Sequence, residues 1–231
     1  MRAPARRRAA RGLSLIELLV GTAIGLIVAA AAASIVGAHL RENRRVQLEA
    51  RLMQELRSAA DLVARDLRRA GYWAASASGV RGHDDAALPI ANPYGPEIPA
   101  TAAADADAVR LSFARSGAAG AGVGDDEQFG FRLRNGAVEM QLGAGNWQAL
   151  SDAGTLVVTA FTVAPRLDEV SLAGFCERPC PAGSTSCPPR QQVRSFALTL
   201  TARSATDAAL TRTLHGSVRT RNDAVVGSCA G

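Results

Sequence analysis

Gly12-Leu13-Ser14-Leu15-Ile16-Glu17 places one acid at the front edge of an otherwise uncharged span. Five arginines (Arg2, Arg6, Arg7, Arg8 and Arg11) and no acid precede it. Residues 18–38 follow without a charge. At about 1.5 Å per residue that run covers roughly 32 Å, one hydrocarbon thickness. The leading arginines favour retention of residues 1–12 on the cytoplasmic side, so the bulk of the chain is expected beyond the membrane. A carboxylate at such an edge costs about 2.5–3.5 kcal/mol on insertion scales, which marks Glu17 as a functional residue.

The totals support this division. The chain has 231 residues and a formal net charge of +5. All of the excess lies before Gly12, and the remaining 21 arginines meet 21 acids. The high pI therefore belongs to the leader, and the bulk shows no basic character of the kind that nucleic-acid binding needs. There is no lysine. Four cysteines, all after residue 175, fit an oxidising compartment.

Helical spacing continues past the span. Leu52, Leu56, Val63, Leu67 and Ala70 form one apolar row, and Val46, Met53, Ala60 and Leu67 a second. Arginines and acids fill the other faces, which predicts an amphipathic helix. Gly71 supplies the stop. The spacing predicts one helix over residues 13–70, apolar all round in its first half and on one side in its second. Residues 72–108 are rich in Gly and Pro and read as loop. Beyond them the period becomes two: Val109, Leu111 and Phe113, then Phe129, Phe131 and Leu133, then Val138, Met140 and Leu142. Asn135-Gly136 between the last two runs is a strong hairpin signal. Residues 155–163, the run around Phe196, Leu198 and Leu200, and residues 211–219 complete five or six strands. Without intervening helices they imply an antiparallel sheet, and the helix stripe is the cover for its apolar face. The expected class is α+β.

Two plain readings of the start exist. A secretory signal cleaved near Ala33 would discard half of an unbroken helix, and an h-region does not normally carry an acid. A simple single-span anchor leaves Glu17 unexplained. Cleavage between Gly12 and Leu13 explains it. The new amine on Leu13 and the carboxylate at i+4 share a helix face. In staggered, packed helices Glu17 of one subunit can meet the Leu13 amine of the next, so the cost of burying each charge selects correct assembly.

Gly12 through Glu17, followed by an apolar helix, resembles the type III signal of type IV pilins and type II secretion pseudopilins. The resemblance implies prepilin peptidase cleavage after Gly12, N-methylation of Leu13, and Glu17 as the assembly carboxylate. Asp66-Leu67-Arg68-Arg69-Ala70-Gly71-Tyr72-Trp73, Ala106-Asp107-Ala108-Val109-Arg110-Leu111 and Arg219-Thr220-Arg221-Asn222-Asp223 are similar to segments of PilW-type minor pilins. GspJ-type pseudopilins share the general plan. Ala74 and Ala75 stand where PilW-type chains often carry a cysteine.

The resemblance implies a pilin-like plan in four parts. These are a leader (1–12), a transmembrane or filament-core helix (13–40), its amphipathic continuation (41–71), and a periplasmic β-rich head (72–231) with a Cys-containing loop. It implies a minor pilin acting in assembly or initiation of a type IV pilus, at the tip complex, with no enzymatic activity and no cofactor. The implied location is the bacterial inner membrane, and then the pilus tip after assembly. The implied partners are other minor and major pilins, prepilin peptidase and the inner-membrane assembly platform. A type II secretion minor pseudopilin is the alternative within this plan. A single-span periplasmic binding protein is the alternative outside it.

Gly21 and Gly25 form a G-x-x-x-G in the apolar helix, a device for close helix approach. Cys176, Cys180, Cys187 and Cys229 allow three pairings, with one bridge expected to tie Cys229 back to the other three. Their spacing and the distance of His39, His83 and His215 argue against zinc. His83-Asp84-Asp85 and Asp125-Asp126-Glu127 read as solvated acidic loops rather than calcium ligands. Trp73 and Trp147 read as packing residues.

Overall fold

In the computed structural model, residues 14–79, 90–95, 108–115 and 122–230 are described. Contacts divide the chain into two units, Met1–Leu48 and Glu49–Gly231. One helix, α1 (Leu15–Arg69), contributes to both. Its long uncharged run supplies its first half, and a basic last turn (Arg68, Arg69) complements the dipole at its end. Gly71 then takes φ 74°, the left-handed conformation that glycine adopts without steric cost.

In the first unit the helix carries its apolar side chains on the surface. Leu15, Ile16, Leu26 and Ile27 are all about 70% exposed or more. Val46 is also exposed, so the second apolar row read from the sequence does not extend burial to that residue.

In the second unit the pattern inverts. Leu52, Leu56, Ala59, Ala60, Val63 and Leu67 are buried, the first row and the one-sided helix expected from the spacing. The strands are β1 (Ala108–Ser112), β2 (Gln128–Arg134), β3 (Ala137–Leu142), β4 (Trp147–Ala149), β5 (Leu156–Ser171), β6 (Arg190–Ser204), β7 (Thr211–Arg219) and β8 (Ala224–Val226). All pairings are antiparallel. They make two sheets rather than one: β1-β2-β3-β4, and β5-β6-β7 with β8 on β6. Asn135 (φ 51°) and Gly136 (φ 75°) form the tight β2–β3 turn that their dipeptide predicts. The Val158 amide donates to Gly136 O at 2.7 Å, which joins the two sheets at that turn.

The strands β4 and β8 have only three residues each, too short to display an alternating pattern, and the sequence reading misses both. β5 and β6 extend well past the runs read as strand, because their outer ends have no buried face to give an alternating pattern. Residues 166–171 of β5 are exposed throughout. The inner face of the second sheet is apolar: Phe161, Val163, Phe196, Leu198, Leu200 and Val218 are buried. Its outer face is hydroxyl-rich, with Thr201 bonded to Thr213 at 3.0 Å and Thr199 to His215 Nδ1 at 3.1 Å.

Candidate assembly site

The helix begins one residue after Ser14, and the Ser14 amide donates to Glu17 Oε2 at 3.3 Å. Serine before the first turn with glutamate three residues on is half of a capping box, in which the acid satisfies an orphan amide. The sequence reading missed this local role, although S-x-x-E is its signature. Glu17 is exposed, and it sits among the exposed Leu15, Ile16, Leu18 and Leu19. One carboxylate oxygen is engaged locally, and the apolar side chains around it are uncovered. A Cβ added to Gly21 or Gly25 meets open space, so both lie on an uncovered helix surface. Gly12 and Leu13, the expected cleavage and methylation positions, lie outside the described residues.

At the other end of α1, segments far apart in sequence converge. The Arg221 amide donates to Arg68 O at 3.0 Å. Asn222 Nδ2 donates to Ala70 O at 3.2 Å and Arg69 O at 3.4 Å. Asn92 Nδ2 donates to Gly71 O at 2.9 Å. These are the carbonyls that a helix terminus leaves without intrahelical partners. On the other side the Gly71 amide donates to Ser112 O and the Ala114 amide to Tyr72 O, both at 2.9 Å. Arg69 lies over the Phe113 ring at 4.2 Å, and Phe113 stacks on Phe129 with centroids 4.0 Å apart. Two of the segments singled out by resemblance, 66–73 and 219–223, thus meet here as one clamp, joined by Ser112, Phe113 and Ala114 at the end of β1 rather than by residues 106–111 themselves. Their role was not readable, because an asparagine in a loop carries no sign of which carbonyl it will reach.

Glu127 departs from its expected place. It is buried rather than solvated, and Tyr94 Oη donates to its Oε2 at 2.6 Å. The Gly124 amide (3.0 Å) and Arg115 amide (3.1 Å) complete its shell. The Tyr94 hydrogen bond, helped by the Gly124 amide, holds the Glu127 carboxyl below 4.5 despite burial. Burial first, and then the hydrogen bond to Glu127, push the Tyr94 phenol up to about 12. The pair is a structural lock beside Trp73 and Ala114, which are buried with Tyr94. Asp125 and Asp126 are exposed, and His83-Asp84-Asp85 lies outside the described residues. Trp147 packs its ring under Arg132 at 4.1 Å.

Cys176 pairs with Cys229 and Cys180 with Cys187. The first bridge closes 53 residues, and the second staples the loop between β5 and β6. Among the described residues no group of three or more His, Cys, Asp or Glu could hold a metal ion.

A long amino-terminal helix, apolar and then amphipathic, carrying an antiparallel β head, is the plan of a type IV pilin-like protein. Comparison with known families agrees at both ends. The family described as "Prokaryotic N-terminal methylation motif" matches residues 7–33. The family described as "Prepilin peptidase-dependent protein B" matches residues 45–220, well over half of the chain. The chain belongs to the prepilin peptidase-dependent protein B family. No curated protein and no solved structure matches it. The helix is long and apolar enough to cross a membrane once, which with the methylation motif is consistent with a single-pass anchored protein.

Proposed function

We propose that this protein is a minor pilin acting in the assembly or initiation complex of a type IV pilus. Prepilin peptidase cuts after Gly12, Leu13 receives the methyl group, and residues 13–40 form first a membrane anchor and then a filament-core helix. The Glu17 carboxylate of one subunit pairs with the Leu13 amine of its neighbour. In this reading the capping contact to Ser14 holds the acid before assembly, and the neighbour's amine takes it over when the helices pack. Gly21 and Gly25 allow close helix approach. The partners are other minor and major pilins, prepilin peptidase and the inner-membrane assembly platform. The head lies in the periplasm and, after assembly, at the pilus tip, and it is structural rather than catalytic.

The observation that carries the reading is Glu17 itself: an exposed acid in the first turn of an exposed apolar helix, inside the matched methylation motif. Glu17→Ala separates assembly from anchoring. The variant is expected to be cleaved normally and to lower surface piliation by about tenfold or more, the cost of one uncompensated buried charge. Mass spectrometry of the mature chain should find N-methylated Leu13. A start near Ser34 or a retained Met1 sinks the proposal. A type II secretion pseudopilin makes the same prediction for processing but loses secretion rather than pili.

A further inference from the structure

We propose that Arg41, Arg44 and Arg45 form a binding site for an anionic phospholipid headgroup, in the leaflet at the carboxy-terminal end of the uncharged run. The proposal rests on the membrane-anchor reading above and adds a ligand to it. Only His39 and Leu40 stand between the run, which ends at Ala38, and Arg41. The three arginines lie at i, i+3 and i+4 of α1, so they share one helix face. All three are exposed. Among the described residues none of them forms an ion pair, whereas Arg132, Arg190, Arg212 and Arg219 each meet a carboxylate.

Arg41 shows how the cluster is aimed. Side chains of a helix tilt toward its N-terminus, here back toward the apolar run. Arg41 Nη1 lies 3.8 Å from the point where a Cβ on Gly37 would stand. Gly37 is half-buried, while the residues on either side of it are exposed. The guanidinium thus starts one turn beyond Gly37 and reaches back into the last turn of the run. At about 1.5 Å per residue the run fills one hydrocarbon thickness, so its last turn stands at the level of the headgroup phosphates.

The chemistry at that level selects the ligand. A guanidinium offers a planar fork of donors that matches phosphate oxygens. Residues 39–48 hold these three arginines and one acid, Glu42, which leaves the stretch with two positive charges in excess. A zwitterionic headgroup brings its own cation into this field. An anionic one brings only the charge that the cluster lacks.

The leader sharpens the assignment. Arg2, Arg6, Arg7, Arg8 and Arg11 flank the other end of the run, and cleavage after Gly12 removes all five. The arginines next to the run are then Arg41, Arg44 and Arg45. Processing therefore moves the anchor's hold on anionic lipid from one leaflet to the other.

The probes are spin-labelled phosphatidylglycerol and spin-labelled phosphatidylcholine, each traced with the full-length protein reconstituted in phosphatidylcholine bilayers. The immobilised fraction of each lipid gives their relative affinity for the protein. A basic residue beside an anionic headgroup is worth roughly fivefold. Combining Arg41→Gln, Arg44→Gln and Arg45→Gln should therefore lower the preference for phosphatidylglycerol about fivefold or more, with the leader arginines common to both chains. Helix content and head melting should not change. Rising ionic strength should shrink the wild-type preference, because exposed charges are screened. Soluble inorganic phosphate should not compete, since it lacks the acyl chains that keep a lipid beside the run. A wild-type chain that inserts without preferring phosphatidylglycerol overturns the proposal and leaves the anchor standing. A triple variant that keeps the full preference overturns it too, and one that does so while losing assembly assigns the arginines to acids of a neighbouring subunit. Displacement by inorganic phosphate overturns the lipid as ligand. Failure to insert in the bilayer overturns the anchor reading, and the proposal with it.

Discussion

The two halves of α1 have one secondary structure and opposite surroundings. Leu26 is 72% exposed, whereas Leu56 is fully buried. Residues 18–38 carry apolar groups on every side and leave them exposed. Residues 52–67 carry them on one side, which a single sheet can cover. A helix apolar all round and left uncovered has the length and composition to cross a membrane, whereas the one-sided second half is already spent on the head.

The sharpest way to break this contrast is to truncate one leucine in each half. Leu56→Ala should cost the head about 3 kcal/mol, the usual range for a fully buried leucine. Leu26→Ala should leave head stability unchanged in denaturant melts of detergent-solubilised protein. Equal losses would mean that the two halves are not energetically independent.

A smaller effect tests the lock beside the helix end. Tyr94→Phe should cost about 1.5–3 kcal/mol, since a buried carboxylate loses its one side-chain donor. It should also change the pH profile. Glu127 titrates lower in the folded chain than in the unfolded one, so its contribution is present above about 4.5 and fades as pH falls through the folded value. Tyr94 titrates higher when folded, so its contribution is present below 10 and fades as pH rises toward about 12. Tyr94→Phe should flatten both limbs in chemical denaturation measured from pH 3 to 11.

Asn222→Ala removes two bonds to helix-end carbonyls and should cost about 1 kcal/mol. Amide exchange should rise in the last turn of α1 and leave residues 15–38 unaffected. The smallest effect concerns Glu55, whose carboxyl is raised above 4.5 by burial first and by Asp152 second. Its ionised form is therefore a mild liability at neutral pH. Glu55→Gln should raise the melting temperature slightly at pH 7 and not at pH 4.

What the sequence determined by itself was set by local rules. Charge placement and an unbroken apolar run define the span, and helical spacing defines α1 to within two residues at its start and one at its end. Gly71 stops it, and Asn135-Gly136 turns the hairpin. Glu17 stands out because one charge in an apolar run is conspicuous without any knowledge of its neighbours. Tertiary structure decided the rest. The division into two sheets, the pairing of Cys176 with Cys229, the burial of Glu127 under Tyr94, and the clamp of Asn92 and Asn222 on the helix end all join residues far apart in the chain. Periodicity reports which face of an element is apolar. It carries no information on which distant group will meet that face, because such meetings depend on packing the whole head at once.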